Sequence, residues 1–331
     1  MSLRESFERD GFLHIKAFAP PDECAGLQRR MQDLIGQWDP DVTLAPVFVT
    51  DQTQQLRAQG SSDYFLDSAD RIHFFLEKEA AGEDGKLKPE VTKPRSLNKV
   101  GHGLHVVDDA FREYSHSKKV ADLVEQLGYR DPVVPQSMYI FKQPAIGGEV
   151  TSHQDSSFLN TTPRLTCLGL WLALDPATLQ NGCLWVRPGS HKEPLRRLFV
   201  RNPKHFAEGD RGAPQMVFEQ LDGDEKSSSE AWEWEGKMPG GWEPPSDGLR
   251  KKGFIPVECK AGDLVVIHGQ VDHLSLPNTS NRPRETFQLH LIEGPKEGVE
   301  WSKRNWLQYP EEKPFPSLGS NSGTKRKADV L

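Results

Sequence analysis

The sequence predicts a mainly β protein, an antiparallel jelly roll with flanking helices, in one domain over residues 1–318. Three observations predict it. From residue 96 onward short apolar runs dominate and turn residues separate them, as in sandwich strands rather than alternating strand–helix units. Residues 165–174 are apolar on both faces apart from Thr166, as a strand between two covering layers must be. Helical patterning is concentrated near the N-terminus and around 118–127.

Taken in order, residues 3–9 are expected to form a short helix and Phe12-Leu13-His14-Ile15 a strand after Gly11. Pro20-Pro21-Asp22-Glu23 opens a second helix, with carboxylates where the peptide dipoles point their positive end. Its Cys24, Leu27, Met31, Leu34, Ile35 and Trp38 recur every three or four residues and define one buried face. Ile72-His73-Phe74-Phe75-Leu76 reads as a strand, followed by a polar turn around 82–88. Residues 183–186, 257–259, 264–271 and 285–292 complete the strand series, and nothing repeats internally.

Residues 202–253 interrupt that series as a long irregular insertion, with Ser227-Ser228-Ser229 and three of the eight Trp (232, 234 and 242). Tryptophan in such a segment argues for docking, and a lid beside the site is the expectation. Residues 319–331 read as a disordered tail. Its Lys325-Arg326-Lys327 is either a nuclear import signal or, as more often, a solubilising cluster.

The net charge is −7, and residues 219–247 carry all of it: nine Asp/Glu against two Lys. The remainder is neutral and offers no basic face for nucleic acid. Four scattered cysteines (24, 167, 183 and 259) argue against a disulfide framework or zinc finger and for a reducing compartment. With no apolar run of membrane length and no Ser-Lys-Leu address in Ala328-Asp329-Val330-Leu331, the expected location is the cytosol. A small-molecule substrate is expected; the oligomeric state leaves no trace in the sequence.

The chemistry centres on His153-Gln154-Asp155, with His273 118 residues after Asp155 and Arg284 eleven beyond that. Two imidazoles and a carboxylate are the donor set that holds non-haem Fe(II) with positions left open. An Arg just past the second His offers a planar fork for a carboxylate. His-x-Asp alone is weak, since roughly one match arises by chance in a chain with this many histidines. His191-Lys192-Glu193 offers the same donor types but follows the turn Arg187-Pro188-Gly189-Ser190. If 153–155 is extended, His153 and Asp155 share a face and Gln154 points away. His273 competes locally with His268. A hairpin looping at 275–283 would set the end of the 264–273 strand beside Arg284. Surface roles for His273 and Arg284 remain open at this point.

An ordered set of motifs extends this pattern. It includes Gly60-Ser61-Ser62-Asp63-Tyr64-Phe65-Leu66, Asn98-Lys99-Val100-Gly101-His102, Gln136-Ser137-Met138-Tyr139-Ile140-Phe141-Lys142, Asn181-Gly182-Cys183-Leu184-Trp185 and Ile267-His268-Gly269. In this, residues 7–318 resemble the phytanoyl-CoA dioxygenase family. The resemblance implies a double-stranded β-helix (cupin-like) core that binds Fe(II) through His153, Asp155 and His273. It also implies 2-oxoglutarate held by Arg284 and Ser275, with Lys99, Met138, Trp171 and Gln154 as further contacts and O2 as co-reactant. The implied reaction hydroxylates a small organic metabolite while 2-oxoglutarate becomes succinate and CO2. The same scaffold also admits desaturation, rearrangement or peroxidation in natural-product tailoring. A non-catalytic metal or 2-oxoglutarate binder would carry the same residues.

Overall fold

The computed structural model describes residues 1–40, 42, 45–48, 62–82, 86–221 and 246–319. In chain order its strands are β1 (Phe12–Ile15), β2 (Ile72–Leu76), β3 (Leu97–His102), β4 (Pro132–Lys142), β5 (Val150–His153), β6 (Thr161–Thr162), β7 (Leu168–Ala173) and β8 (Leu184–Val186). There follow β9 (Arg197–Arg201), β10 (Met216–Gln220), β11 (Ile255–Val257), β12 (Leu264–His268), β13 (His273–Ser275), β14 (Arg284–Glu293) and β15 (Glu300–Trp301). A seven-stranded sheet runs β1-β12-β7-β14-β4-β3-β2, and a four-stranded sheet runs β11-β8-β13-β5. The pairings are antiparallel. This is the expected jelly roll.

The helices Leu3–Asp10, Pro21–Gln37, Asp109–Ser115 and Lys118–Gln126 share a core with the large sheet. Leu3–Asp10 starts with a reciprocal Ser2/Glu5 capping box and stops at Gly11, whose φ of 78° suits glycine. Pro21–Gln37 buries Cys24, Leu27, Met31, Leu34 and Ile35, the face its periodicity predicts, and Trp38 stacks on Phe74. Strand β7 shows why 165–174 is apolar throughout. Leu168, Leu170 and Leu172 join the core shared with the helices, while Trp171 and Ala173 share a second core with Leu184 and Leu274 of the small sheet and with Leu276 just past it.

Two expectations are corrected. Residues 264–273 do not form one strand in a hairpin with 284–292. The chain turns at Gly269, where a Cβ would lie 2.4 Å from Ser156 Oγ, and 273–275 cross into the small sheet. β14 pairs instead with β4 and β7. Nor is 202–253 irregular throughout: β9 and β10 pair, and Ser246–Lys251 is helical. The centre of the expected lid (222–245), with its serine run and three tryptophans, and the basic tail lie outside the described residues. Among the described residues no helix is long and apolar enough to cross a membrane.

Candidate active site

β5 ends at His153 and β13 begins at His273, and the two residues are cross-strand partners. Gln154 is extended (φ −114°, ψ 125°), so Asp155 returns to the same face before the chain tightens into the turn Asp155–Ser157. The donor atoms of His153, Asp155 and His273 lie within 4.8 Å of one another. Asp155 Oδ1 is 3.3 Å from His153 Nε2 and 3.6 Å from His273 Nε2.

The protons on those rings are elsewhere. His153 Nδ1 lies 2.8 Å from the Thr151 carbonyl and His273 Nδ1 3.1 Å from that of Val271. A carbonyl only accepts, so each Nδ1 carries an N–H, and in the neutral ring the lone pair is left on Nε2. Burial and the neighbouring His153 push His273 down to about 4, which keeps it neutral near pH 7. Burial opposes the charge on Asp155, but His273 and His290 outweigh it and hold the carboxyl well below its usual range. Two imidazole lone pairs and an anionic oxygen thus point at one place. That arrangement fits a cation.

His290, which the sequence reading passed over, stands directly behind the triad. Its Nε2 is 3.3 Å from Asp155 Oδ2, and an ionised carboxylate accepts only, so Nε2 carries the proton. Nδ1 is then the acceptor for Gln136 Nε2 at 3.2 Å. Gly169 leaves room for this contact, since a Cβ there would lie 3.3 Å from Asp155 Oδ2. The signal was in the sequence: Arg284, Thr286, Gln288 and His290 are polar at every second position, one face of a strand.

The same cavity brings Arg284, Ser275, Lys99, Met138 and Trp171 to the metal-competent triad. Arg284 is buried on β14, with Cζ 5.3 Å from the Trp171 ring. Its Nη1 donates to Gly182 O at 2.9 Å, as does Ser275 Oγ, whereas its buried Nε has no hydrogen-bond partner among the described residues. Burial lowers the guanidinium to about 10, so it stays charged. Lys99 Nζ sits over the Phe48 ring and 3.9 Å from Met138 Sδ. Burial pushes this amine well below its ordinary value. Glu77, also lining the cavity, is pushed up to about 7 by burial.

Gln154, expected as a cosubstrate contact, is corrected. Its amide donates to Gln270 O (3.0 Å) and Pro194 O, and its oxygen accepts Arg196 N–H. Extended backbone sends it to the face opposite its neighbours, where it braces loops. The rival pair falls away as well. Glu193 is held by Arg187, and His191 faces the Glu8 carbonyl and the His268 ring.

The phytanoyl-CoA dioxygenase (PhyH) profile matches residues 7–286. The chain is 42% identical to a phytanoyl-CoA dioxygenase of Arabidopsis thaliana over 302 residues, 91% of each chain. It is 42% identical to phytanoyl-CoA dioxygenase domain-containing protein 1 of Bos taurus over 321 residues, covering 96% of this chain and 97% of that one. Among solved structures, the epimerase SnoN in complex with Fe3+, alpha ketoglutarate and nogalamycin RO superposes with a TM-score of 0.57 at 15% identity, covering 98% and 95%. EctD from S. alaskensis in its apoform gives 0.56 at 17%, covering 96% and 86%. These two likenesses are of fold. Sequence identity over nearly the whole length carries the assignment: the chain belongs to the phytanoyl-CoA dioxygenase family.

Proposed function

We propose that the chain is an Fe(II)- and 2-oxoglutarate-dependent dioxygenase that hydroxylates a small organic metabolite in the cytosol. One observation carries this reading: a two-imidazole, one-carboxylate donor set shares a cavity with a buried guanidinium that has N–H groups to spare. His153, Asp155 and His273 would hold the ion from one side and leave its other positions open. When bound, Fe(II) supplies dioxygen activation coupled to the decarboxylation of 2-oxoglutarate to succinate and CO2, with a substrate C–H bond oxidised to an alcohol. The carboxylate at Asp155 fills the ligand place that a halide would otherwise take, which favours hydroxylation.

The protein's own work is binding and orientation. Arg284 offers its fork to the remote carboxylate of the cosubstrate, and the Ser275 hydroxyl stands beside it on the same Gly182 carbonyl. Lys99 adds an amine whose described neighbours are a ring face and a thioether. Trp171 floors the pocket and helps keep it dry.

Anaerobic titration with Fe(II) and 2-oxoglutarate, then succinate measurement in air, tests the reading. Binding of both followed by succinate formation supports it; binding without succinate leaves a non-catalytic binder. Arg284→Ala should weaken 2-oxoglutarate roughly ten- to hundredfold, the worth of hydrogen bonds to a charged group, while barely changing iron affinity. Equal losses would make Arg284 a structural residue.

A further inference from the structure

Arg197, a cation lining the same cavity, has no part in that scheme. Arg197 opens β9, opposite Gln220 of β10. β9 packs on the turn Asp155–Ser157 that carries the metal-facing carboxylate. A path of rings leads to it: His153 to Phe158 is 6.1 Å, Phe158 to Phe218 is 6.2 Å, and Arg197 Cζ lies 4.6 Å from the Phe218 centroid. Arg197 therefore lies on the Phe158 side, while Arg284 rests on Trp171 of the large sheet.

The nearby arginines are occupied. Arg196 is paired with Asp272, and Arg201 donates to the Asn305 and Trp306 carbonyls. Among the described residues Arg197 has the Phe218 ring and no carboxylate or carbonyl. Burial and the like charge of Arg196 push it down to about 10, so it remains a cation at neutral pH. A ring takes the flat face of a guanidinium and leaves the N–H groups in its plane free. Arg197 is half-buried, and N–H groups without a protein acceptor are open to an incoming anion.

Resting on the oxygenase reading, we infer that Arg197 is a specificity-determining residue that receives the anionic group of the primary substrate. The substrate is an organic anion, a carboxylate or phosphate, whose apolar body packs among Phe65, Phe158 and Trp306 of the cavity wall. Arg284 serves the cosubstrate, and Arg197 serves the molecule to be oxidised.

Isothermal titration of the anaerobic protein, saturated with Fe(II) and 2-oxoglutarate, tests this with four probes. Phenylacetate and phenyl phosphate are the anions; phenylacetamide and benzyl alcohol are their neutral counterparts. The wild type should prefer the anions at least tenfold, and the tighter of the two distinguishes carboxylate from phosphate. Arg197→Gln should erase the preference and Arg197→Lys should retain part of it, with 2-oxoglutarate affinity within twofold throughout. Should Arg197→Gln fail to fold, an intermediate Arg197→Lys carries the test. The inference alone falls if the wild type shows no preference, binds neither anion, or keeps its preference in both variants. Absence of 2-oxoglutarate binding in the wild type would bring down the oxygenase reading together with it.

Discussion

Among the described residues two clusters gather a histidine, an aspartate and a third donor within the same 4.8 Å, yet only one resembles a metal centre. At His14, Cys259 and Asp263 the carboxylate is already satisfied. Asp263 accepts the Ala17 and Lys260 amides and meets His14 Nε2 at 2.9 Å, while Cys259 Sγ donates to Val257 O. At His153, Asp155 and His273 the ring protons go to carbonyls behind the site, and acceptors face acceptors. Closeness of the donor atoms does not separate the two clusters. The whereabouts of the protons does.

The sharpest break of this comparison is Asp155→Ala, which should abolish succinate formation. It should weaken Fe(II) by more than the roughly 100-fold that outer partners of a metal cost. Retained turnover would move the metal elsewhere. His290→Ala, removing the donor behind Asp155 Oδ2, should weaken Fe(II) about ten- to hundredfold without unfolding the chain. Unchanged affinity would reduce His290 to packing.

Asp263→Ala should do the reverse, sparing iron and costing about 1–3 kcal/mol for each amide left without an acceptor. Burial opposes its charge, but the amides of Ala17 and Lys260 with His14 outweigh that and hold the carboxyl below 3.8. A depressed carboxylate contributes stability above its unfolded pKa and loses it as pH falls through the folded value. Wild-type urea midpoints should therefore drop more steeply than those of Asp263→Ala as pH falls below about 4; parallel curves would contradict the assignment. The smallest effect belongs to His191→Ala, with iron affinity unchanged and a stability loss of no more than about 1 kcal/mol. A clear loss of iron would revive the rival pair.

Much of this was legible because periodicity needs no tertiary knowledge. The spacing of Cys24, Leu27, Met31, Leu34 and Ile35 gave a helix face, and the two-sided apolarity of 165–174 gave a strand between layers. His153 and Asp155 share a face through strand geometry alone. Pairing was not legible. Closeness in sequence favours a hairpin between the 264–273 segment and Arg284, but β7 lies between β12 and β14, and His273 belongs to the other sheet. The family resemblance implied Gln154 beside the cosubstrate, although the same extended backbone that aims its neighbours inward aims it outward. His290 needed only a count of twos from Arg284. Arg197 had no sequence signal, because what sets it apart from Arg196 and Arg201 is the partners it lacks among the described residues.

The pairing of His153 with His273 has a mechanical side. β5 is the edge of the four-stranded sheet, and its register with β13 shifts just past that pair. Edge ladders open most easily, and an irregular one has few backbone bonds to resist. An ion gripped from both strands would rivet the rim of the barrel at its weakest seam, so emptying the centre of its metal would also let the wall around it fray.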